Sequence, residues 1–237
     1  MGRPKQHGEH TREALLAAAE ELLAEGGEPA LSVRAVAERT GTSTRAVYSV
    51  FGSKDGLLSA LGQHGFEMLR AVVDELPLTD DPIADIVEGG VQGFRRWWRA
   101  HPQLFRLAFD HLVVDGPGGV QVSKAGMSAL GRLRMRVQRA HDAGLFAGYS
   151  VDELTLQIDA LCEGLTIVEG RHAAMLRSDP EQVWREALQA LVDGFQENGR
   201  RLASLRPGLL RSGGAGPVGD GSSGPDPPDA ELTGAQP

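Results

Sequence analysis

LSVRAVAERTGTSTRAVYSVFGSKDGLL, residues 31–58, is the stretch that decides the fold. Ser32 suits the start of a helix, because its hydroxyl accepts from a free N–H of the first turn, and Val33, Val36 and Ala37 lay an apolar stripe along that helix. Gly41 ends it, since glycine takes the positive φ needed where the chain reverses. Ser43 or Thr44 opens a second helix that turns Val47 and Phe51 inward and leaves Thr42, Thr44, Arg45, Tyr48 and Ser49 facing out. Two short helices joined by a glycine turn form a helix-turn-helix, whose second helix enters the DNA major groove.

Upstream, Thr11 to Glu25 reads as a helix with Leu15, Ala18, Ala19, Leu22 and Leu23 on one face, capped by Thr11 and ended by Gly26-Gly27. It completes a three-helix domain over residues 11–54. Residues 1–10 are expected to be a flexible arm, with Arg3 and Lys5 either reaching DNA or only keeping the chain soluble.

The run AVAERTGTSTRAVYSVFGSKDGLL also resembles the DNA-binding signature of the TetR (tetracycline-repressor) family, in which the tract after the recognition helix commonly reads Tyr-x-x-Phe-x-x-Lys-x-x-Leu. Tyr48, Phe51, Lys54 and Leu57 stand at those places here. The resemblance implies an all-α, dimeric regulator with about nine helices, and backbone contacts from Tyr48 and Lys54. Lys54 also opens a helix whose free N–H groups favour phosphate. Thr42, Thr44 and Arg45 are placed to read base edges. Ser32, Arg34, Ser43 and Ser49 complete the candidate DNA-contacting set.

The formal charge of −8 argues against nucleic acid until its distribution is considered. Residues 32–54 hold Arg34, Arg39, Arg45 and Lys54 against Glu38, a net +3, and residues 1–12 carry a net +2. The single cysteine, Cys162, cannot form an internal disulfide and fits a reducing compartment. With no long apolar run and no apolar leader, the chain is expected to act in the cytoplasm, away from membranes.

Residues 55–205 read as a ligand-binding and dimerisation domain. Asp55 to Leu76 is a long helix stopped by Pro77. Pro82 to His101 is another, broken by Pro102 before a helix from Gln103. Phe94, Trp97, Trp98, Phe105 and Phe109 gather five of the chain's twelve aromatics within 16 positions. They are either plain core or the wall of a pocket for an apolar or aromatic effector. Met127, Leu130, Cys162 and Leu165, on later helices, join the ligand-lining candidates. Gly116 to Gly119 is a loop, and Val122 to Ala143 a helix.

Two long amphipathic helices come last, and the family resemblance implies that they pair with their copies as a four-helix bundle. Leu161, Gly164, Val168, His172, Trp184, Leu188, Leu191 and Phe195 are the candidate dimer-interface residues, unless they simply close the domain core. From residue 206 to 237, Gly, Pro and Ser dominate, as in a disordered acidic tail. No catalytic, metal or cofactor motif appears: His7, Glu9 and His10 lie in the arm, and His111 with Asp115 reads as a surface hydrogen bond. The partners expected are an operator duplex, a second copy of the chain and a small effector. The alternatives are an effector-independent DNA-binding dimer, or a small-molecule binder that has lost specific DNA binding.

Overall fold

The computed structural model describes residues 3–110, 113–116, 119–172 and 178–205; the expected tail and His111 lie outside these. Ten α-helices are seen among them: α1 (Arg3–Ala30), α2 (Val33–Arg39), α3 (Thr44–Phe51), α4 (Lys54–Glu75), α5 (Pro82–Glu88), α6 (Arg96–Ala100), α7 (Pro102–Asp110), α8 (Lys124–Asp142), α9 (Val151–His172) and α10 (Pro180–Leu205). A π-helical segment, Gly89–Arg95, joins α5 to α6. The fold is all-α apart from one antiparallel hairpin, β1 (Val113–Gly116) and β2 (Gly119–Val122), between α7 and α8.

Two departures from the sequence expectations concern α1. It starts at Arg3, so Thr11 lies inside the helix and the first residues continue it as backbone rather than hang as an arm. Pro4 is tolerated because the first turn needs no N–H there. At the other end Gly27 takes φ 66° and breaks the regular helix where Gly26-Gly27 is expected to end it, before the short turn through Pro29. Serines begin the next three helices, Ser32 and Ser43 as expected and Ser53 in addition. Ser32 accepts from Ala35 N at 3.1 Å, Ser43 from Ala46 N at 3.2 Å and Ser53 from Gly56 N at 2.9 Å. Each cap is worth about 1 kcal/mol.

Helices α1–α3 and the α1–α2 junction bury Leu15, Leu16, Ala19, Leu22, Leu31, Val36 and Val47 together. Leu57, Leu58 and Leu61 from α4 and Leu104 and Leu107 from α7 complete this first core. A second core is built from the distal part of α4 and from the helices after it, around Phe66, Leu69, Ile86, Phe94, Trp97, Leu154, Ile158, Trp184 and Leu188. Thus α4 and α7 belong to both. They approach closely at Gly65, where an added Cβ would stand 3.1 Å from Leu104 Cγ and 3.3 Å from the Ala108 Cβ.

The single helix expected over Pro82–His101 is instead widened in its middle. Gly89, Gly90 and Gly93 sit where neighbours press against the backbone: an added Cβ would meet Leu188 at 2.6 Å from Gly90, and Val73 at 2.9 Å from Gly93. Wide π turns of this kind occur frequently at functional sites.

Candidate functional site

On α3 and the turn before it, Thr42, Ser43, Thr44, Arg45, Tyr48 and Ser49 are exposed side by side. Tyr48, a large and partly apolar residue, is 51% exposed with no packing reason to be outside. Lys54 begins α4 beside this face. The face is less positive than a count along the sequence suggests. Arg39 is held by Glu21 and Glu25 of α1, at 3.1 and 2.7 Å, and Arg34 by Glu38 at 2.8 Å. Two acids from 14 and 18 positions away thus consume a cation that a window over residues 32–54 counts as available. Arg45 and Lys54 hold no ion pair among the described residues. Ser32 and Ser43 serve as helix caps, so their hydroxyls already accept intramolecular N–H bonds. The side chains of Arg3 and Lys5 lie outside the described ones.

A cavity of about 160 Å³ opens in the second core. Phe66, Leu69 and Val73 of α4, Gly89, Gly90 and Phe94 of the π segment, and Phe109 of α7 line one side. Gly126, Met127, Ala129, Leu130, Leu133 and Arg136 of α8, with Ile158, Asp159, Cys162 and Glu163 of α9, line the other. Of the residues proposed from sequence, Phe94, Phe109, Met127, Leu130 and Cys162 are therefore brought together. Met127 is 52% exposed and marks the open side. Trp97, Trp98, Phe105 and Leu165 do not line the cavity. Trp97 is fully enclosed, stacked near His101 and Phe105, while Trp98 closes against Gly170 at 3.4 Å from its notional Cβ. The aromatic run divides because successive residues of a helix face different ways.

The cavity is mostly apolar with two polar ends. Arg136 is 2% exposed; its Nη2 donates to the carbonyls of Val73 and Leu76 at 2.9 and 3.3 Å, while Nε and Nη1 have no hydrogen-bond partner. A buried donor left in this state costs about 1–3 kcal/mol. On α9, burial and the neighbouring Glu163 push the Asp159 carboxyl up to about 7. Burial likewise raises Glu163 and pushes the Cys162 thiol far up, keeping it an unreactive thiol. From sequence, the arginines on several faces of α8 read as solvated surface from which one could still neutralise an anionic ligand, and Asp159 is not singled out. Nothing local tells which of Arg132, Arg134, Arg136 and Arg139 turns inward.

Residues 15–61 match the model of the bacterial regulatory proteins of the tetR family, and residues 87–191 match that of the tetracyclin repressor-like C-terminal domain. The chain belongs to the TetR family. As a TetR-family protein it is a DNA-binding transcriptional regulator, with a helix-turn-helix at its N-terminus and a ligand-binding C-terminal domain. No curated protein matches it. Several solved structures share its fold. A protein of unknown function from Rhodococcus sp. RHA1 is 24% identical with a TM-score of 0.68, covering 78% of this chain and 95% of its own. The TetR-family regulator PfmR from Thermus thermophilus is 20% identical with a TM-score of 0.52, covering 76% and 97%. A TetR variant from Acinetobacter baumannii AYE in complex with minocycline is 19% identical with a TM-score of 0.56, covering 78% and 95%.

In this TetR-family chain part of the apolar stripe of the last two helices closes the domain core, the alternative the sequence left open beside subunit pairing. Trp184, Leu188 and Phe195 are buried within the protomer at 1%, 0% and 4% exposure. The Trp184 indole donates to Glu169 at 2.8 Å, inside a buried cluster where Glu169 also accepts from Arg95 and Arg99 at 3.0 Å each. These three are therefore core residues and not dimer contacts, because α10 lays its apolar stripe on its own protomer. Leu161 and Leu191 are half-buried, whereas Val168 and His172 are exposed. The buried stripe of α9 runs through Leu154, Ile158, Cys162 and Thr166 instead. That leaves Leu156 (68%), Ile167 (48%) and Val168 (49%) exposed, with open space beside Gly164 and Gly194.

Proposed function

We propose that this protein is an effector-released repressor that binds a pseudo-palindromic operator as a homodimer in the cytoplasm. The observation that carries the reading is the shared use of α4 and α7. Both helices wall the cavity through Phe66, Leu69, Val73 and Phe109, and both enter the core under the recognition helix through Leu57, Leu61, Leu104 and Leu107. A molecule that spreads the cavity walls therefore moves the elements on which α3 rests. In a dimer, two α3 helices about 34–36 Å apart match successive major grooves. An effector that prefers another spacing depopulates this one by no more than its differential affinity.

Thr42, Thr44 and Arg45 are assigned to base edges, and Tyr48 and Lys54 to phosphates, with Ser49 and Arg34 at the margin of the interface. A minocycline-bound TetR of the same fold supports a small-molecule role for the C-terminal half. The exposed stripe Leu156, Gly164, Ile167 and Val168 is assigned to the dimer face.

The test is selection from random duplexes followed by salt titration. The expected product is an enriched inverted repeat whose affinity falls steeply with salt. Arg45→Ala should cost about 1–3 kcal/mol on the selected site and relax one base position. Lys54→Ala should weaken all sequences alike and reduce the salt slope by about 1. An unchanged slope would remove Lys54 from the phosphate contacts, and an absence of enrichment would sink the operator reading.

A further inference from the structure

We propose that the cavity takes a one-ring-sized apolar molecule ending in a carboxylate, with the carboxylate seated on the Arg136 guanidinium. This rests on the cavity being the effector site. The space measures about 160 Å³, and an apolar cavity of about 150 Å³ holds one benzene ring. Its walls offer aromatic partners for such a ring, with Phe109 lying 5.2 Å from Phe66 and 6.1 Å from Phe94 between ring centres.

A bare ring would leave the polar wall unanswered. Arg136 is almost completely buried, and its Nε and Nη1 find no acceptor in the protein. A Cβ at Gly89 would stand 3.3 Å from both Cδ and Nε, so the Arg136 side chain lies tight along the π segment and a larger residue there would displace it by a few tenths of an ångström. The nearest acids are already committed elsewhere: Asp85 to Arg139, and Asp74 to Arg132 and Arg70. A buried guanidinium with open N–H bonds is complementary to a planar anion, and its attraction strengthens where water is excluded.

The α9 wall limits the charge of that anion. Asp159 and Glu163 line the same cavity, and no ion pair joins either to Arg136 among the described residues. One guanidinium and two carboxyl groups in the same cavity lining suit a singly charged carboxylate better than a doubly charged phosphate. The same two acids would accept from a hydroxyl or amide on the ligand body.

Isothermal titration of the full-length protein near neutral pH with phenylacetate, phenethyl alcohol and phenethylamine tests the assignment. Phenylacetate should bind about 10- to 100-fold more tightly than the alcohol. Arg136→Gln should abolish that ratio, while Arg132→Gln, a matched loss of charge on the same helix, should keep it. If the Gln variant does not fold, Arg136→Lys retains the charge and should retain most of the preference. Equal binding of acid and alcohol, a preference for the amine, or a ratio that survives Arg136→Gln would each overturn the carboxylate assignment and leave the cavity as an effector site. Binding by none of the three would remove the effector site itself.

Discussion

Asp159 illustrates how burial converts an ordinary surface residue type into a titrating group. Its carboxyl is pushed from 3.8 to about 7 by burial and then by Glu163, one turn along α9. The unfolded chain releases this proton near its ordinary value, whereas the folded chain keeps it. Its stabilising contribution is therefore complete below about 4 and is lost as pH rises towards 7. Glu163 acts in the same direction, so part of the slope survives any change at Asp159 alone. Asp159→Asn is expected to raise the melting temperature at alkaline pH and to lose that advantage in acid. Thermal unfolding across the pH range checks this, and a pH-independent difference would contradict it. Neither the burial of Asp159 nor that of Arg136 was legible in the sequence. Each is one polar residue among several on an amphipathic helix, and helix phase is decided by the partners it packs against.

Among the elements, α4 carries the link between cavity and recognition helix, and Gly65 sets its distance from α7. Replacing glycine by alanine inside a helix gains about 1 kcal/mol in propensity, so that change would blur the outcome. Valine gains less and is larger, and its branches would meet Leu104 and Ala108, already 3.1 and 3.3 Å from a bare Cβ. Gly65→Val should destabilise by about 1–3 kcal/mol through overpacking, read by urea unfolding. It should also shrink the effector's influence on operator affinity, because the two helices no longer move as one. Full stability together with unchanged coupling would show that the α4–α7 contact does not transmit the signal. The helix-turn-helix and the long fourth helix were legible from capping serines, Gly41 and apolar spacing. The π segment was not. Apolar helical spacing alone did not mark Gly89, Gly90 and Gly93, whose role shows only once Leu188 and Val73 are seen filling the space beside Gly90 and Gly93.

For the whole molecule, assembly is the property on which the proposed operator reading depends. Leu156, Ile167 and Val168 form an apolar strip on α9 that the protomer leaves uncovered. Joint replacement by Ile167→Glu and Val168→Asp should leave helical content intact and yield a monomer in sedimentation equilibrium. Operator affinity should then fall by at least about 100-fold, since each half-site alone offers only part of the contacts. A variant that remains dimeric would place the subunit contact elsewhere. The sequence pointed to α9 and α10 as the joining helices but mixed core and surface positions along them: Trp184, Leu188 and Phe195 face inward, and Ile167 was not singled out.

Local rules determined what local physics controls: where helices begin at serines and end at glycines and prolines, which residues of α3 stand outside, and membership of the TetR family through the Tyr48, Phe51, Lys54 and Leu57 tract. Tertiary structure alone decided what depends on the meeting of distant segments. It paired Arg39 with the acids of α1, turned Arg136 into the cavity of the second core, split the aromatic run into cavity wall and core, and chose which side of α9 is left uncovered. The physical reason is that periodicity states that a helix has an apolar face, while only packing states against which neighbour, and in what rotation, that face is laid.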